Sequence, residues 1–422
     1  MRELESRYPN EIAVVGVHSG KYTTERDTAR IRDASIRLGA THPIVNDRQF
    51  RVWRAYAVRA WPTLVAIDPR GAVVGMHAGE FSADDVAPFV ERVIGEARVA
   101  GTLVEEPLHF DADAPVNAPG MLAYPGKVAV DGRRIAIADS GHHRVLVGAL
   151  DDTGRRMRVE RTIGGPDDRD GSALSFTNPQ GLAFDGDSLI VADAGSHTIR
   201  ALSLVTGDVR TLAGTGAQLR TRRDLDAGAL SSPWDLALAG DTLYVAMAGR
   251  HQLWTMRRSG GAAAPFAGSG AEELHDGPPG TAALAQPMGL CADEQSLYFV
   301  DAESSAVRAA DCDPRGSVRT ITGTGLFDFG DVDGAGDDVR MQHQQAIARV
   351  PDGRLLVCDS YNDALKWVDP AARRATTWIR GLHEPSGLAL GDGVVYVADT
   401  NAHRVAVVDM QTGEVGALEI AG

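Results

Sequence analysis

From about residue 123 to the end of the chain, apolar residues come in short β-rich bursts separated by turn residues. Between Gly181 and Gly214 they read GLAFD, SLIVAD, TIRALSL and VRTLAG, with Asp185-Gly186 and Thr206-Gly207 among the breaks. Bursts of this length, rich in Val, Ile and Leu and bounded by Asp-Gly and Thr-Gly pairs, predict four antiparallel strands. The unit recurs six times, opening at Tyr124, Asn178, Ser232, Gln286, His343 and Glu384. Two landmarks set the register: Pro125 to Asp139, Pro179 to Asp193, Pro287 to Asp301 and Pro385 to Asp399 are each 14 residues apart. The third copy keeps the spacing from Pro233 but ends at Met247. In the fifth, Gln344 stands for the proline and one residue is inserted near Pro351-Asp352-Gly353. The gap from Gln344 to Pro385 is 41 residues against 54 between the earlier prolines, so the longer copies carry added loops. Six four-stranded repeats with no helical period between them predict a six-bladed β-propeller.

In such a meander the link after strand two and the link to the next blade emerge on one face. That face is expected to hold Gly141-His142-His143-Arg144, Gly195-Ser196-His197, Gly249-Arg250-His251, Tyr361-Asn362-Asp363 and Asn401-Ala402-His403-Arg404, with loops near 166 to 177, 217 to 231, 271 to 285 and 326 to 342. His143, His197, His251 and His403, with Arg144 and Arg404, are its candidate binding residues.

The first hundred residues follow another grammar. EIAVVGVHS (Glu11 to Ser19) predicts a buried strand, Thr23 to Gly39 an amphipathic helix with a Thr cap, and WPTLVAID (Trp61 to Asp68) a second strand. AVVGMHAG continues a hairpin, and Ser82 to Val99 predicts a closing helix capped by Ser82. This is an α/β order. The expected division is 1–102 for this domain, 103–122 for a linker and 123–422 for the propeller. Leu103 to Phe110 is either linker or a strand that helps close the ring.

Composition narrows the partners. With 42 Lys+Arg against 57 Asp+Glu, the net charge of −15 leaves no basic footprint for nucleic acid. No apolar run approaches a membrane span, and MRELESRYPN lacks a signal-peptide core, so a cytoplasmic chain is expected. Glycine, at 47 residues, fits many tight turns. The three cysteines, Cys291, Cys312 and Cys358, form neither a disulfide framework nor a zinc pattern. Cys291 and Cys358 are expected to be buried and inert. The acids of Asp311-Cys312-Asp313 are expected to raise the Cys312 thiol.

The pattern P-x-G-[LIV]-A with V-A-D-x-x-N-x-R-[IV] resembles the NHL repeat over roughly 300 residues. Asp139 with Arg144 and Asp399 with Arg404 match its signature best, whereas Met247, Ser305 and Ala306 depart. The N-terminal part resembles the later portion of a thioredoxin-like domain, with Trp61-Pro62-Thr63 in the place of the cis-proline loop, which makes these three further binding candidates. With GVHS, THPIVND and PGKVAVD, the fusion resembles thioredoxin-like/NHL proteins of the NHL repeat-containing protein 2 type. That family's dithiol is missing, because no cysteine precedes Cys291. Of two explanations, an upstream start and a degenerate domain, the first is preferred, since loss of a central strand would open a gap between the Val14 and Leu64 strands.

The recurring Asp139, Asp193, Asp301, Asp359 and Asp399 are read as structural, each standing at a strand end and accepting backbone N–H bonds from the turn that follows. The Asp331-Val-Asp333-Gly-Ala-Gly336-Asp337 loop lacks the bidentate Glu of a calcium loop, so no metal is assigned, and no cofactor is expected. The resulting expectation is a non-catalytic scaffold that binds a protein or peptide through the loop-bearing face. The alternatives are a thiol-disulfide oxidoreductase with its Cys-x-x-Cys upstream of Met1, and a hydrolase or lyase acting at the propeller axis.

Overall fold

The computed structural model describes residues 1–106, 120–165 and 175–421. The chain divides into two compact units, Met1–Asn117 and Ala118–Gly422. Of the expected linker, residues 107–119 lie outside the described residues, as does most of the loop near 166 to 177. Leu122, at the linker's end, is buried in the propeller core.

The first unit contains α1 (Arg2–Arg7), β1 (Gly16–His18), α2 (Thr28–Arg37), β2 (Ile44–Asn46), α3 (Arg51–Ala55), β3 (Thr63–Ile67), β4 (Val73–Ala78) and α4 (Ala83–Val99). β1 pairs in parallel with β2, and β3 pairs antiparallel with β4. Among the described residues no ladder joins the two pairs. The segment Glu11 to Ser19, expected to be a buried strand, contributes only three strand residues, and Val15 and Val17 are 53% and 43% exposed. The physical reason is the unjoined edge: β1 has a neighbour on one side only. The helix expected from Thr23 starts at Thr28, because the Asp27 carboxylate takes the amides of Ala29 and Arg30, whereas Thr23 sits in αR geometry and caps nothing with its side chain. Ser82 forms a reciprocal capping box with Asp85, as its position suggested. Asp47 escaped notice in the sequence. Its buried carboxylate accepts from the amides of Arg51, Val52 and Trp53 and from the Ser19 hydroxyl. Burial opposes its charge, but these bonds outweigh burial and hold the carboxyl below its ordinary range.

The second unit is the six-bladed β-propeller. Its innermost strands are Pro125–Asp131, Pro179–Asp185, Pro233–Ala239, Pro287–Ala292, Ala346–Arg349 and Pro385–Leu390, each followed by three antiparallel partners. The core consists of six apolar clusters, each shared by two consecutive blades; Ala136, Val145 and Ile163 of blade 1 meet Leu182, Leu189 and Leu202 of blade 2, and Val128, Ile137 and Leu146 of blade 1 meet Tyr396, Val405 and Val407 of blade 6. Every blade therefore buries its two faces against its neighbours, and no blade has a core of its own. The ring closes through the C-terminal strand. Blade 6 completes four strands of its own by Val415–Ala417, and Glu419–Ala421 then pairs in parallel with Arg156–Arg158 on the outer strand of blade 1. Leu103 to Glu106 form no strand, and the rest of that candidate lies outside the described residues.

Candidate binding faces of the propeller

The buried aspartates join each blade to its incoming chain. Asp139 accepts the amide of Ala123 at 2.7 Å, Asp193 that of Asn178 at 2.7 Å, Asp301 that of Ala285 at 2.8 Å, Asp359 that of Gln342 at 2.7 Å and Asp399 that of His383 at 2.5 Å. The bonded amides mostly lie some 16 residues upstream, ahead of the first strand, rather than in the turn that follows. A supplementary bond to the following turn exists in some blades, such as the Ser196 hydroxyl to Asp193 and the Asn362 amide to Asp359.

Each buried carboxylate has its cation within the same blade, supplied in one of two ways. In blades 1 and 6 the cation stands five residues on: Arg144 Nε is 2.7 Å from Asp139 and Arg404 Nε is 2.8 Å from Asp399. In blades 2, 4 and 5 that position is Thr198, Ala306 or Ala364, and the cation stands two residues further on, as Arg200, Arg308 or Lys366. Arg308 is wholly buried, lies 2.9 Å from Asp301, and also grips Asp276 and the carbonyls of Ala283 and His275. Lys366 Nζ lies 3.5 Å from Asp359 and also holds Asp331 and Asp333, at 2.7 and 3.1 Å. The ammonium thus stands between the first two acids of the loop that faintly matched a calcium pattern. Arg200 donates to the Ser175 carbonyl and feels the Asp193 charge. Blade 3 completes the rule: where Asp gives way to Met247, the cation position gives way to Trp254, both fully buried. Burial pushes the carboxyls of Asp301 and Asp359 up, the latter to about 7. For Lys366, burial works against the charge, but Asp359, Asp331 and Asp333 outweigh it and raise the ammonium.

The four histidines occupy one geometric role. Each ends the short turn after strand two with φ between 52° and 57°. The Nδ1 atoms of His197, His251 and His403 accept the amides of Ser232, Gln286 and Tyr124 in the next blade at 3.0, 3.1 and 3.2 Å. His143 Nδ1 instead meets the Thr177 carbonyl at 2.5 Å, again in the next blade. In blades 4 and 5 the same latch is made by the Ser305 hydroxyl on His343 N and by Asp363 on Glu384 N. All six rings or their substitutes are spread around the face, one per blade, and the structure does not bring the four histidines together. These histidines, Arg144 and Arg404 are each half-buried, with one edge committed to the scaffold.

In the first unit, the Trp61–Pro62 peptide is cis, as the resemblance implied. Trp61 is 47% exposed, donates its indole N–H to the Ser19 carbonyl at 2.8 Å and lies 4.5 Å from the Trp53 ring. The Thr63 hydroxyl bonds the Ala60 carbonyl.

Burial drives the Cys291 and Cys358 thiols far up, but only Cys358 is closed off from solvent as expected; Cys291 is partly exposed. Cys312 is also raised, by burial first and only then by the Asp293 and Asp311 charges, so the neighbouring acids are a secondary cause.

Two residues at the axis were missed. The third position of the P-x-G-[LIV]-A string is Lys127, Gly181, Asp235, Gly289, Ala346 and Gly387 in blades 1 to 6. A Cβ at Gly181, Gly289 or Gly387 would come within 2.7 Å of the Cα of Asp235, Ala346 or Lys127, so every second blade needs glycine where the inner strands converge. The intervening blades are free to place side chains on the axis. There the Lys127 ammonium lies 3.1 Å from Asp235 and donates to the carbonyls of Met288 and Gln345, at 3.3 and 2.6 Å. The signal was available: both residues break a repeat position that is otherwise Gly or Ala.

Comparison with known proteins adds the following. The NHL repeat family matches residues 122–147 and 382–408, the inner halves of the first and last blades. Over 98% of its length the chain is 35% identical to NHL repeat-containing protein 2 of Gallus gallus, 64% of which it covers. The chain is a homologue of NHL repeat-containing protein 2. It thus spans somewhat under two thirds of that relative's length. This homologue is also 34% identical to Protein SUPPRESSOR OF QUENCHING 1, chloroplastic, of Arabidopsis thaliana, over 97% of the chain and 42% of that protein. A shorter likeness, 30% over 100 residues, covers 23% of the chain and 53% of the thiol-disulfide oxidoreductase ResA of Halalkalibacterium halodurans.

Proposed function

We propose that this chain is a non-catalytic binding scaffold that holds a protein or peptide partner on the loop-bearing face of its propeller, with a redox-silent thioredoxin-like module in its first hundred residues. The observation that carries this reading is the division of labour on that face. The repeated Asp, Arg and His groups have bonds within their own blade or to the next one. Recognition then falls to the loops that differ between blades and to the outer edges of the His and Arg side chains. No helix among the described residues is long and apolar enough to cross a membrane. The test places photo-crosslinking residues singly at Ala217, Glu272 and Asn401 on the loop face and at Gly186, Asp241 and Asp392 on the opposite turns. Discrete adducts from the first set alone support the reading, whereas adducts from both sets alike, or from neither, refute it.

A second reading, a thiol-disulfide oxidoreductase whose dithiol lies upstream of Met1, draws support from the unjoined strand pairs of the first unit and the ResA likeness. A thioredoxin-like sheet without its middle strand would have this gap. Insulin reduction by an N-terminally extended chain tests it: no activity with a Cys-x-x-Cys present refutes it.

A further inference from the structure

The net charge of −15 conceals a local exception. From Arg48 to Trp61 the chain reads RQFRVWRAYAVRAW, with four arginines, four aromatic residues and no acid. The fold gathers three of these aromatics into one cluster. Trp53 and Trp61 lie 4.5 Å apart, and Phe50 meets them at 5.7 and 6.4 Å, edge on. Arg26, from another segment, stands 5.6 Å over the Phe50 ring. Two bonds anchor the cluster: the Trp61 indole donates to the Ser19 carbonyl, and the Trp53 amide to the Asp47 carboxylate.

The arginines rim this cluster. Arg51 and Arg54, three apart on α3, are neighbours on its surface and bracket Trp53. Arg48 and Arg59 stand two residues before Phe50 and Trp61, a chain distance of at most about 7 Å. All five arginines are exposed. Among the described residues none of them pairs with a carboxylate: Arg26 donates to the carbonyls of Gly20 and Lys21, and Arg54 to that of Gln49. Other exposed arginines of this unit do find an acid, Arg92 on Glu96 and Arg98 on Glu105. Asp47, the acid beneath the cluster, is buried and commits its oxygens to three amides and a hydroxyl. Crowding five like charges is unfavourable in itself, so the patch fits an anionic partner better than it serves the scaffold.

Its chemistry narrows that partner. Planar guanidinium forks take carboxylates in two-point contacts, and the Trp61 ring, 47% exposed, offers a platform for an aromatic or aliphatic side chain. Trp and Arg are the residue types that carry most of the binding energy at protein interfaces. A nucleic-acid strand or an anionic membrane fits less well, because its charge extends past the patch and meets an acidic chain within a Debye length of about 10 Å. A membrane would also need an apolar wedge, whereas Phe50 and Trp53 are half-buried.

We propose that the arginine-rimmed aromatic cluster of the first unit docks an acidic protein segment, its carboxylates on Arg48, Arg51, Arg54 and Arg59 and one aromatic or aliphatic side chain on Trp61. The site needs no thiol and does not involve the loop-bearing face of the propeller, so either reading can fail without the other.

The probe is a fluorescein-labelled peptide, EDEFEDE, titrated by fluorescence anisotropy against the 422-residue chain. The peptides QNQFQNQ and EDEAEDE, oligo-uridylate and phosphatidylserine vesicles serve as comparisons. The expected result is saturable one-to-one binding of EDEFEDE, weakened about tenfold between roughly 25 and 250 mM salt. EDEAEDE should bind about threefold more weakly for want of the ring, and QNQFQNQ should not saturate. R51S/R54S should weaken binding about tenfold; R48S/R59S replaces it if near-ultraviolet circular dichroism shows the first variant unfolded. R92S/R98S, which removes two arginines already paired with acids, should bind as the parent does. The proposal is overturned if EDEFEDE does not saturate, if QNQFQNQ binds as well, if the folded patch variants bind as before, or if R92S/R98S loses as much as they do. It is equally overturned if oligo-uridylate or the vesicles bind more tightly than the peptide, which would assign the surface to nucleic acid or to a membrane.

Discussion

If each buried aspartate is neutralised by one cation of its own blade, Arg308→Met should be among the most damaging single changes in the propeller, and a second substitution should repair much of it. Arg308 is wholly buried and makes four polar contacts of 2.8 to 2.9 Å: Asp301, Asp276 and the carbonyls of Ala283 and His275. Removing it leaves the fully buried Asp301 carboxylate without a cation, and breaking such a pair from one side costs about 3–5 kcal/mol. Asp301→Met alone should cost less, about 2 kcal/mol, because Arg308 keeps the half-exposed Asp276. The double variant R308M/D301M imitates blade 3, where Met247 stands without a cation. It should therefore be at least ~2 kcal/mol more stable than the sum of the two single effects predicts. Urea unfolding followed by tryptophan fluorescence at pH 7.5 measures all four proteins. The single variant R308M also carries a pH signature. Burial already raises the Asp301 carboxyl in the native protein, and loss of the arginine raises it further. The folded state then binds a proton that the unfolded state releases, so the deficit should shrink as pH falls from 7.5 to 5. A deficit under ~1 kcal/mol for R308M, or strict additivity in the double variant, would refute the pairing rule.

His403→Ala should lower stability by about 1 kcal/mol through loss of the amide bond to Tyr124, whereas His403→Asp should be close to neutral, since Asp363 makes that latch in blade 5; equal melting losses in the two variants would sink the latch account. Asp359, pushed up to about 7 against an ordinary 3.8, holds its proton in the folded state over a range where the unfolded chain has lost it. Its contribution to stability is therefore present at low pH and lost as pH rises from about 4 to 7; a pH series of urea midpoints should be flatter for Asp359→Asn than for the parent, and an unchanged slope refutes it. With a thiol-reactive chromophore at pH 8, Cys358, the one thiol that is fully buried, should stay unmodified in the native protein, and all three cysteines should react in denaturant; rapid native labelling of Cys358 contradicts its burial.

The period alone determined most of the fold. Strand-length apolar bursts recurring with fixed Pro-to-Asp spacing can bury their two faces only against copies of themselves, which forces a closed ring of six blades. The aspartates' structural role was legible for the same reason, because residues that obey the repeat build the repeat. The N-terminal unit was less legible. Its short strands β1 and β2 and the helix held by Asp47 depend on contacts between Ser19, Asp47 and Trp53 that lie far apart in sequence, and a run as apolar as Glu11 to Ser19 shows exposed valines because its neighbouring edge is open.

What only the tertiary structure decided is where each periodic residue finds its partner. Periodicity assigns a side chain to a face of its own strand, but a propeller makes its decisive contacts between blades and across the axis. Three of the four histidines therefore prove to be bonded to the next blade's amides and the fourth to a carbonyl there, ring closure falls to Glu419–Ala421 on blade 1, and Lys127 meets Asp235 108 residues away. Chain distance carries no information about such pairs, because the curvature that brings blades 1 and 3 together at the centre is a property of all six blades packed at once.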